Sequence, residues 1–370
     1  MRLDRTNTSL LGRWWWTIDK FNLVALLVLI ALGSVLVTAG SPPVAKRLDL
    51  PTFYFVNRHY VFLSVGLVVM FLVSLLPPVA VRRLAVLGFV GSIGLMVLVP
   101  FIGVATKGAH RWIDLGGISV QPSEFMKPCF AVLMAWVCAE NQRRVDFPGY
   151  RLAVGLYVLV VLLLIVQPDI GMTLTVSAVW GFQLFLAGLP VIWVFLLGLL
   201  GVAGMVAAYH FLPHVARRID SFLDPTTGDN YQTSRSIEAF QNGGLLGRGP
   251  GEGEIKQVLP DSHTDFIFSV AGEELGVIFC LFLVGLFAFI VLRGFSRVWR
   301  ENDLFQILAV AGVLTQFGIQ AVINMGVAVN LFPAKGMTLP FISYGGSSAV
   351  ATALGMGFML ALTRRIYGKH

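Results

Sequence analysis

The stretch LPDSHTDFIFSVAGEELG, residues 259–276, marks the point where a polar loop turns directly into an apolar run, and the rest of the chain is arranged around it. Four polar residues end at Asp265, and the hydrophobic run that starts at Phe266 continues past Val284. A carboxylate at such a junction is either a helix cap or a chemically active group. As an N-cap, Asp265 would accept a backbone N–H and contribute about 1 kcal/mol, and Thr264 could do the same. The residue pattern leaves both interpretations open.

Composition places the chain in a membrane. Of its 370 residues, 56% are hydrophobic and 13% charged, whereas a soluble domain is about half apolar and about a quarter charged. The net charge of +7 fits basic cytoplasmic loops and anionic lipid. Nucleic-acid binding is not expected, because the basic residues are spread over many short loops. The three cysteines, Cys129, Cys138 and Cys280, lie in apolar segments and indicate small buried side chains rather than disulfides or a metal site.

Hydrophobic segments predict an all-α polytopic membrane protein with ten transmembrane helices. The segments lie near residues 22–40, 59–76, 84–104, 123–140, 152–167, 170–188, 190–212, 266–292, 304–326 and 344–363. An even number places both termini on one side. With the N-terminus cytoplasmic, the inner segments carry fifteen Lys or Arg and the short outer loops carry six. The positive-inside rule therefore predicts cytoplasmic termini.

The predicted organisation has three parts. Residues 1–21 form a cytoplasmic N-terminal segment, residues 22–363 the ten-helix membrane domain, and residues 364–370 a cytoplasmic tail. The domain includes a large extracytoplasmic loop, 213–264, between helices 7 and 8. A loop of that length is usually functional or disordered, and its glycines and prolines predict tight turns.

Charged side chains within the apolar segments are candidates for function by default. Glu124 and Lys127 lie at i, i+3 and face the same way on a helix. They form either a structural ion pair or the lining of a polar cavity, and the two can coexist. Glu273 and Glu274 are adjacent, so we expect one of them to be protonated or to line water.

The outer loops carry further candidates. Gln167–Asp169 indicates either a simple turn or a helix break that lines a cavity. Lys107, His110 and Arg111 form a basic cluster on the side where basic residues are disfavoured, which an anionic ligand such as a phosphate would explain. Small residues in LPFISYGGSS, 339–348, allow close helix packing or the close approach of a ligand.

Five long motifs in order resemble the FtsW/RodA family, the SEDS proteins, over nearly the whole chain. They are KGAHRWIDLGGISVQPSEFMKP (107–128), QPDIGMT (167–173), YQTSRSIEAFQNGGLLGRGPGEG (231–253), LPDSHTDFIFSVAGEELG (259–276) and LFPAKGMTLPFISYGGSS (331–348). Within the family, the Tyr231–Gly253 stretch and the Asp-Ser-His-Thr-Asp form at 261–265 look more like FtsW, the division member, than RodA, the elongation member. One departure is Ala334 before Lys335, where the family more often has threonine.

The resemblance implies a peptidoglycan glycosyltransferase that polymerises lipid II at the outer face of the cytoplasmic membrane, at the division septum. It implies a class B penicillin-binding protein as transpeptidase partner, alongside other divisome membrane proteins and membrane lipid. The essential aspartate of the family falls on Asp265, expected to be catalytic. The residues expected to bind substrate are Arg111, Glu124, Lys127, Lys335, His263 and Ser343.

The residues fit that chemistry independently. A sugar hydroxyl is a poor nucleophile, and one carboxylate can take its proton. A diphosphate leaving group needs positive charge rather than a second acid, and Arg111, Lys127 and Lys335 could supply it. No cofactor or dedicated metal site is predicted, although a divalent cation, Mg²⁺ or Mn²⁺, could share that role.

Other functions remain open at this level. Ten helices with intramembrane charges would also suit a lipid II flippase or transporter, although no inverted repeat is apparent. The elongation paralogue would use the same chemistry. A scaffold that only recruits the transpeptidase would leave Asp265 and the outer basic residues unexplained.

Overall fold

The computed structural model describes residues 9–106, 109–114, 116–117, 119–144, 146–211, 213–223, 231–333 and 336–364. The protein is mostly helical across these ranges. In chain order the helices are α1 (Leu10–Thr17), α2 (Lys20–Arg47), α3 (Tyr54–Ser74), α4 (Pro78–Ile102), α5 (Pro122–Arg143), α6 (Gly149–Val166), α7 (Ile170–Leu186), α8 (Val191–Phe211), α9 (Pro213–Leu223), α10 (Tyr231–Gly243), α11 (Ile267–Val298), α12 (Leu304–Ala328) and α13 (Gly346–Leu362).

Seven of these helices are long and apolar enough to cross a membrane: α2, α3, α4, α6, α8, α11 and α12. Helices α7 and α13 are apolar but shorter, at 17 residues each. Each of the ten predicted segments falls on one of α2–α8 and α11–α13. The protein is therefore a polytopic helical membrane protein, as the sequence predicts.

Helix α5 lies at the centre of the bundle and packs against α4, α12 and α13. Sixteen of its 22 residues are buried, so protein rather than lipid surrounds it on all sides. This explains why a helix with Glu124 and Lys127 in its first two turns can lie in an apolar bundle: both side chains face other helices.

The prediction of a purely helical chain is wrong for the segment between α4 and α5. Three short strands form an antiparallel sheet there, in the order β1 (Val104–Thr106), β2 (Ala109–Asp114) and β3 (Ser119–Val120). Ile113 is buried and Asp114 exposed, the alternation of a half-buried strand. A search for long apolar runs cannot detect such a short pattern.

The segment between α8 and α11 also contains structure that the sequence reasoning missed. It holds α9 and α10 as well as turns. Helix α10 is polar overall, but Thr233, Ser236, Ala239 and Gly243 are buried. Their spacing of three to four residues makes one helical face, and that face packs against α11 and α12.

Helix α11 is broken at Gly276, whose φ of 82° and ψ of 173° are not helical. The break divides it into an amino half, residues 267–275, and a carboxyl half, residues 277–298. At 1.5 Å per residue the carboxyl half is about 33 Å long, enough to span a hydrocarbon core of about 30 Å by itself. The amino half, which follows Asp265, is therefore not needed to cross the hydrocarbon core.

Candidate active site

Asp265 is not the N-cap of α11. The N-cap is Phe266, which makes no side-chain capping bond, and α11 begins at Ile267. Thr264 instead donates its hydroxyl to the carbonyl of Asp261, at 3.2 Å. Asp265 is partly exposed, and a Cβ added to Gly336 would lie 3.3 Å from its Oδ2. The carboxylate thus lies against the backbone turn after α12, and the capping interpretation loses its basis.

Asn324 of α12 fixes the backbone on both sides of this contact. Its Nδ2 donates to the carbonyl of Asp265 at 2.9 Å and to the carbonyl of Met337 at 2.6 Å. One buried amide therefore ties the aspartate segment (residues 261–266) to the post-α12 loop (residues 336–345).

Two more bonds join the same pair of segments. Ser343 accepts from the N–H of Leu339 at 2.7 Å and donates to the carbonyl of Thr264 at 2.5 Å. The N–H of Tyr344 donates to the carbonyl of His263 at 2.8 Å. The backbone beside Asp265 is held at three successive residues, which is the kind of support a precisely placed side chain needs.

Two of the residues predicted to bind substrate lie in the interior. Ser343 is 3% exposed, and its hydroxyl is used by the bonds just described. The buried ring of His263 packs against those of Phe55 and Tyr344, with centroids 4.6 and 5.4 Å away, and these two rings also contact each other. Their positions favour shaping the aspartate segment over direct contact with a ligand.

Glu124 and Lys127 form the predicted ion pair, with 2.8 Å between Oε2 and Nζ and side chains 7% and 1% exposed. Lys127 also donates to Oε1 of Gln320 at 3.1 Å, and Nε2 of Gln320 donates to the carbonyl of Thr338 at 3.0 Å. The pair is structural in this arrangement, and its second partner connects it to the post-α12 loop.

Arg111 forms hydrogen bonds to the turn between α6 and α7. It donates from Nε to the carbonyl of Gln167 at 2.9 Å and from Nη2 to the carbonyl of Pro168. Its Nη1 lies 3.7 Å from Oδ2 of Asp169, the residue that caps α7 by accepting from the N–H of Met172. The motif at 167–169 is thus a turn between helices, and Arg111 stabilises it.

Gln121 connects that turn to the start of α13. Its Nε2 donates to Oδ2 of Asp169 at 3.5 Å, and its N–H donates to the hydroxyl of Ser347 at 3.2 Å. The hydroxyls of Ser348 and Thr338 are 3.1 Å apart. Hydrogen bonds therefore run from the Arg111 turn to α13, and from α13 to the post-α12 loop.

Two predicted cations, Lys335 and Lys107, lie outside the described residues, and His110 lies in β2. In the part of the chain that the structure describes, no group of three or more His, Cys, Asp or Glu could hold a metal ion. The three cysteines are free and buried, as predicted.

Sequence reasoning missed the residues that hold the site together. Gln320 and Asn324 are four residues apart in the apolar α12, and so share one helix face. Two amides on one face of a transmembrane helix are a signal that could have identified them, because polar groups there need partners. Glu273 and Glu274 were noted, but Lys256 was not recognised as the partner of Glu274.

The chain is similar to known proteins of one family. The family model FtsW/RodA/SpoVE, described as "Cell cycle protein", matches residues 20–367. A probable peptidoglycan glycosyltransferase FtsW of Caulobacter vibrioides (strain NA1000 / CB15N) is 45% identical, over 99% of this chain and 94% of that protein. One of Geobacter sulfurreducens (strain DL-1 / KN400) is 37% identical, over 95% and 97%.

Two solved structures share the fold. A chain from a study of the structural coordination of polymerization and crosslinking by a peptidoglycan synthase complex matches with a TM-score of 0.76 and 29% identity, over 94% of this chain and 98% of that one. The rod shape determining protein RodA of Thermus thermophilus matches with a TM-score of 0.69 and 28% identity, over 94% and 97%. The chain belongs to the FtsW/RodA/SpoVE family.

Proposed function

We propose that this protein is a peptidoglycan glycosyltransferase that polymerises lipid II at the outer face of the cytoplasmic membrane for septal wall synthesis. The observation that carries the proposal is the placement of Asp265. Its partly exposed carboxylate lies outside the cap position, against Gly336, on a backbone fixed by Asn324 and Ser343. A carboxylate so held can act on a bound substrate, and the names of the similar FtsW proteins supply the substrate class.

The proposed reaction is a single displacement. Asp265 takes the proton from the 4-hydroxyl of a GlcNAc as that oxygen bonds to the anomeric carbon of a MurNAc. The bond from that carbon to the diphosphate breaks, and undecaprenyl diphosphate leaves with the electron pair. Direct attack inverts the configuration, from an α-linked donor to a β-linked glycan. The departing diphosphate supplies the driving force, so no nucleotide is needed.

The leaving diphosphate requires positive charge. The Arg111 side chain is 28% exposed. A guanidinium has five N–H donors, and the turn between α6 and α7 uses only some of them. Lys335 directly precedes Gly336 in the sequence. We assign the diphosphate to these two residues. Lys127 is already engaged by Glu124 and Gln320, and so supports the loop instead.

A divalent cation, Mg²⁺ or Mn²⁺, could add charge at the same place. Asp265 offers one carboxylate, and no further cluster of ligands lies among the described residues. Such an ion would therefore depend on water and the diphosphate for its other ligands, as Mg²⁺ commonly does.

The proposed topology has ten crossings and both termini in the cytoplasm. Support comes from the coincidence of the ten apolar segments with ten helices, seven of them long enough to span, and from the excess of basic residues on the inner side. Residues 1–21 and 364–370 would then be cytoplasmic, and the segment 213–264 extracytoplasmic.

The proposed partners are a class B penicillin-binding protein, other divisome membrane proteins and membrane lipid. The similarity to a chain from a peptidoglycan synthase complex supports a partnered enzyme. The similar proteins named FtsW support division rather than elongation. A fluorescent fusion should concentrate at the septum of dividing cells, and an even distribution along the lateral wall would indicate the elongation role.

The test is polymerisation by purified protein in proteoliposomes, together with its cognate transpeptidase and labelled lipid II. We expect glycan polymer with β-linkages at the newly formed bonds. Lipid II that crosses the bilayer without forming polymer would contradict the proposal and favour a transporter. Newly formed α-linkages would contradict direct displacement.

A further inference from the structure

Another part of the chain, the bracing loop (residues 244–256), forms hydrogen bonds to both halves of α11 at the break. The amino half of α11 ends with two carbonyls that lack helical partners. The N–H of Arg248 donates to the carbonyl of Glu273, and the N–H of Gly249 to that of Glu274, each at 3.0 Å. The bracing loop thus supplies the hydrogen bonds that continued helix would have made.

The carboxyl half is tied to the same loop. The N–H of Val277 donates to the carbonyl of Gly244 at 3.0 Å, and the N–H of Ile278 to that of Leu245 at 3.2 Å. A single loop therefore bridges the two halves of α11, and the angle between them is set by this loop rather than by helix geometry.

Two carboxylates strengthen the bridge on the side of the amino half. Oε1 of Glu273 accepts from the N–H groups of Glu254 and Ile255, both at 2.9 Å. Oε1 of Glu274 lies 2.5 Å from Nζ of Lys256, and the two side chains are 2% and 8% exposed. Of the two alternatives expected for this pair, lining water does not fit, because both side chains are buried and hold the bracing loop; protonation of one of them stays a prediction.

The backbone of Gly251 bonds to both members of the Lys256–Glu274 pair, which together with Glu273 forms a cluster of three charged side chains. The Gly251 carbonyl accepts from Lys256 at 2.9 Å, and its N–H donates to Oε2 of Glu274 at 3.0 Å. A buried pair of this kind is weak evidence for stability, because apolar side chains of similar volume often stabilise as well or better. What a hydrogen-bonded pair adds is one defined register between the elements it joins.

Helix α10 fixes the other side of the amino half. The hydroxyls of Ser236 and Ser269 are 2.5 Å apart, and the ring of Phe240 fills the space above Gly272. The amino half is therefore held along its length, and it begins two residues after Asp265. A change in its register would pull the aspartate segment against its bonds to the post-α12 loop and so shift Asp265.

We infer that Lys256, Glu273 and Glu274 are positioning residues that set the location of the Asp265 carboxylate through the amino half of α11. Their side chains bond to the bracing loop and across the Lys256–Glu274 pair, so they act on Asp265 through the backbone. The inference rests on the proposed function for its kinetic consequence, but the location of residue 265 can be measured without any activity.

The kinetic arm compares variants of the pair in the lipid II assay. Lys256→Met leaves Glu274 unpaired, and the double variant Lys256→Met/Glu274→Leu removes both charges, which avoids a buried unpaired ion. We expect the double variant to fold but to lose on the order of 100-fold in kcat, the scale of a 1 Å misplacement, with little change in KM. The charge-exchanged variant Lys256→Glu/Glu274→Lys should recover part of the loss.

A matched control lies in the same loop. Arg248 and Glu254 form an ion pair at 3.0 Å, but their side chains are 35% and 73% exposed. Glu254→Gln removes this pair and keeps the backbone N–H that Glu273 accepts. We expect kcat and KM of Glu254→Gln to match those of the wild type.

The positional arm uses Asp265→Cys, labelled with a water-soluble maleimide, since the native cysteines are buried. The labelling rate should change several-fold when Lys256→Met/Glu274→Leu is added, and stay constant when Glu254→Gln is added. A folded double variant with wild-type kcat and an unchanged labelling rate would overturn the inference. If that variant does not fold, Lys256→Arg, which keeps the charge but moves it, is judged by the same two readouts.

The two ideas can fail separately. Absence of polymer from the wild type would reject the proposed function, while the labelling rates would still decide whether the cluster sets the position of residue 265. Normal polymerisation with unchanged labelling would reject the positioning role alone.

Discussion

Replacing Asn324 by leucine should uncouple the aspartate segment from the post-α12 loop. Asn324 is buried, and leucine has nearly its shape but no donor. The two N–H bonds of its amide reach the carbonyls of Asp265 and Met337. An acceptor left unsatisfied in a buried place costs about 1–3 kcal/mol. Since the bond to Asp265 is only partly buried, the two together amount to about 2–4 kcal/mol.

That free energy lowers the ratio of molecules whose aspartate segment is bound to the post-α12 loop to those in which it is not. The ratio falls by about 30- to 900-fold, at about 1.36 kcal/mol per factor of ten. We expect kcat for lipid II polymerisation to fall at least about tenfold, with KM little changed, because the substitution displaces a group that acts in the transition state and leaves the substrate-binding residues in place. The assay is polymerisation by the purified complex over a range of lipid II concentrations, with thermal unfolding of the same samples.

The control is Gln316→Leu, two turns earlier on α12. It removes an equally large amide that is only partly buried, and should leave kcat and the unfolding temperature unchanged. Wild-type kcat in Asn324→Leu would refute the reasoning that these hydrogen bonds place Asp265.

Three further substitutions test the surrounding structure. Lys127→Met leaves the buried Glu124 without its partner. We expect a loss of about 3–5 kcal/mol in the free energy of unfolding, measured by thermal unfolding. A melting temperature equal to that of the wild type would show that the pair is not structural. Arg111→Lys keeps the charge but loses the planar guanidinium that holds two carbonyls. The KM for lipid II should therefore rise about tenfold, equivalent to about 1.4 kcal/mol. An unchanged KM would show that Arg111 does not bind substrate. Gly33→Ala places a Cβ against the carbonyl of Phe341 and should displace the post-α12 loop; protease resistance and activity equal to wild type would contradict that contact.

The helices of the bundle could be predicted because their signal is local. Apolar runs of about 20 residues are required by the hydrocarbon thickness, and every predicted run falls on a helix. The pairing of Glu124 with Lys127 was also predictable, since residues at i, i+3 meet on any helix. The residue pattern alone already marked Asp265 and Arg111 as candidates, and the family resemblance added the roles expected of them, catalysis for Asp265 and substrate binding for Arg111.

The missed features depend on contacts between distant parts of the chain. A glycine inside a helix costs only about 1 kcal/mol, so Gly276 gave no sign of a break; the break exists because residues 244–249 supply the missing hydrogen bonds. Helix α10 has no long apolar run, and it is stabilised by the face it packs against α11. Whether Asp265 caps α11 could not be decided until the start of that helix was known.

If Asp265 takes the proton of the attacking hydroxyl, as proposed, the most direct measurement of this role is kcat of Asp265→Asn in the reconstituted complex. Asparagine keeps the shape but cannot accept the proton, so kcat should fall about 10²- to 10⁴-fold, with folding and partner binding intact. The control is Asp49→Asn, at an exposed aspartate with φ of 53°, a conformation that asparagine tolerates; it should polymerise normally. Polymerisation by Asp265→Asn at the rate of Asp49→Asn would contradict the account.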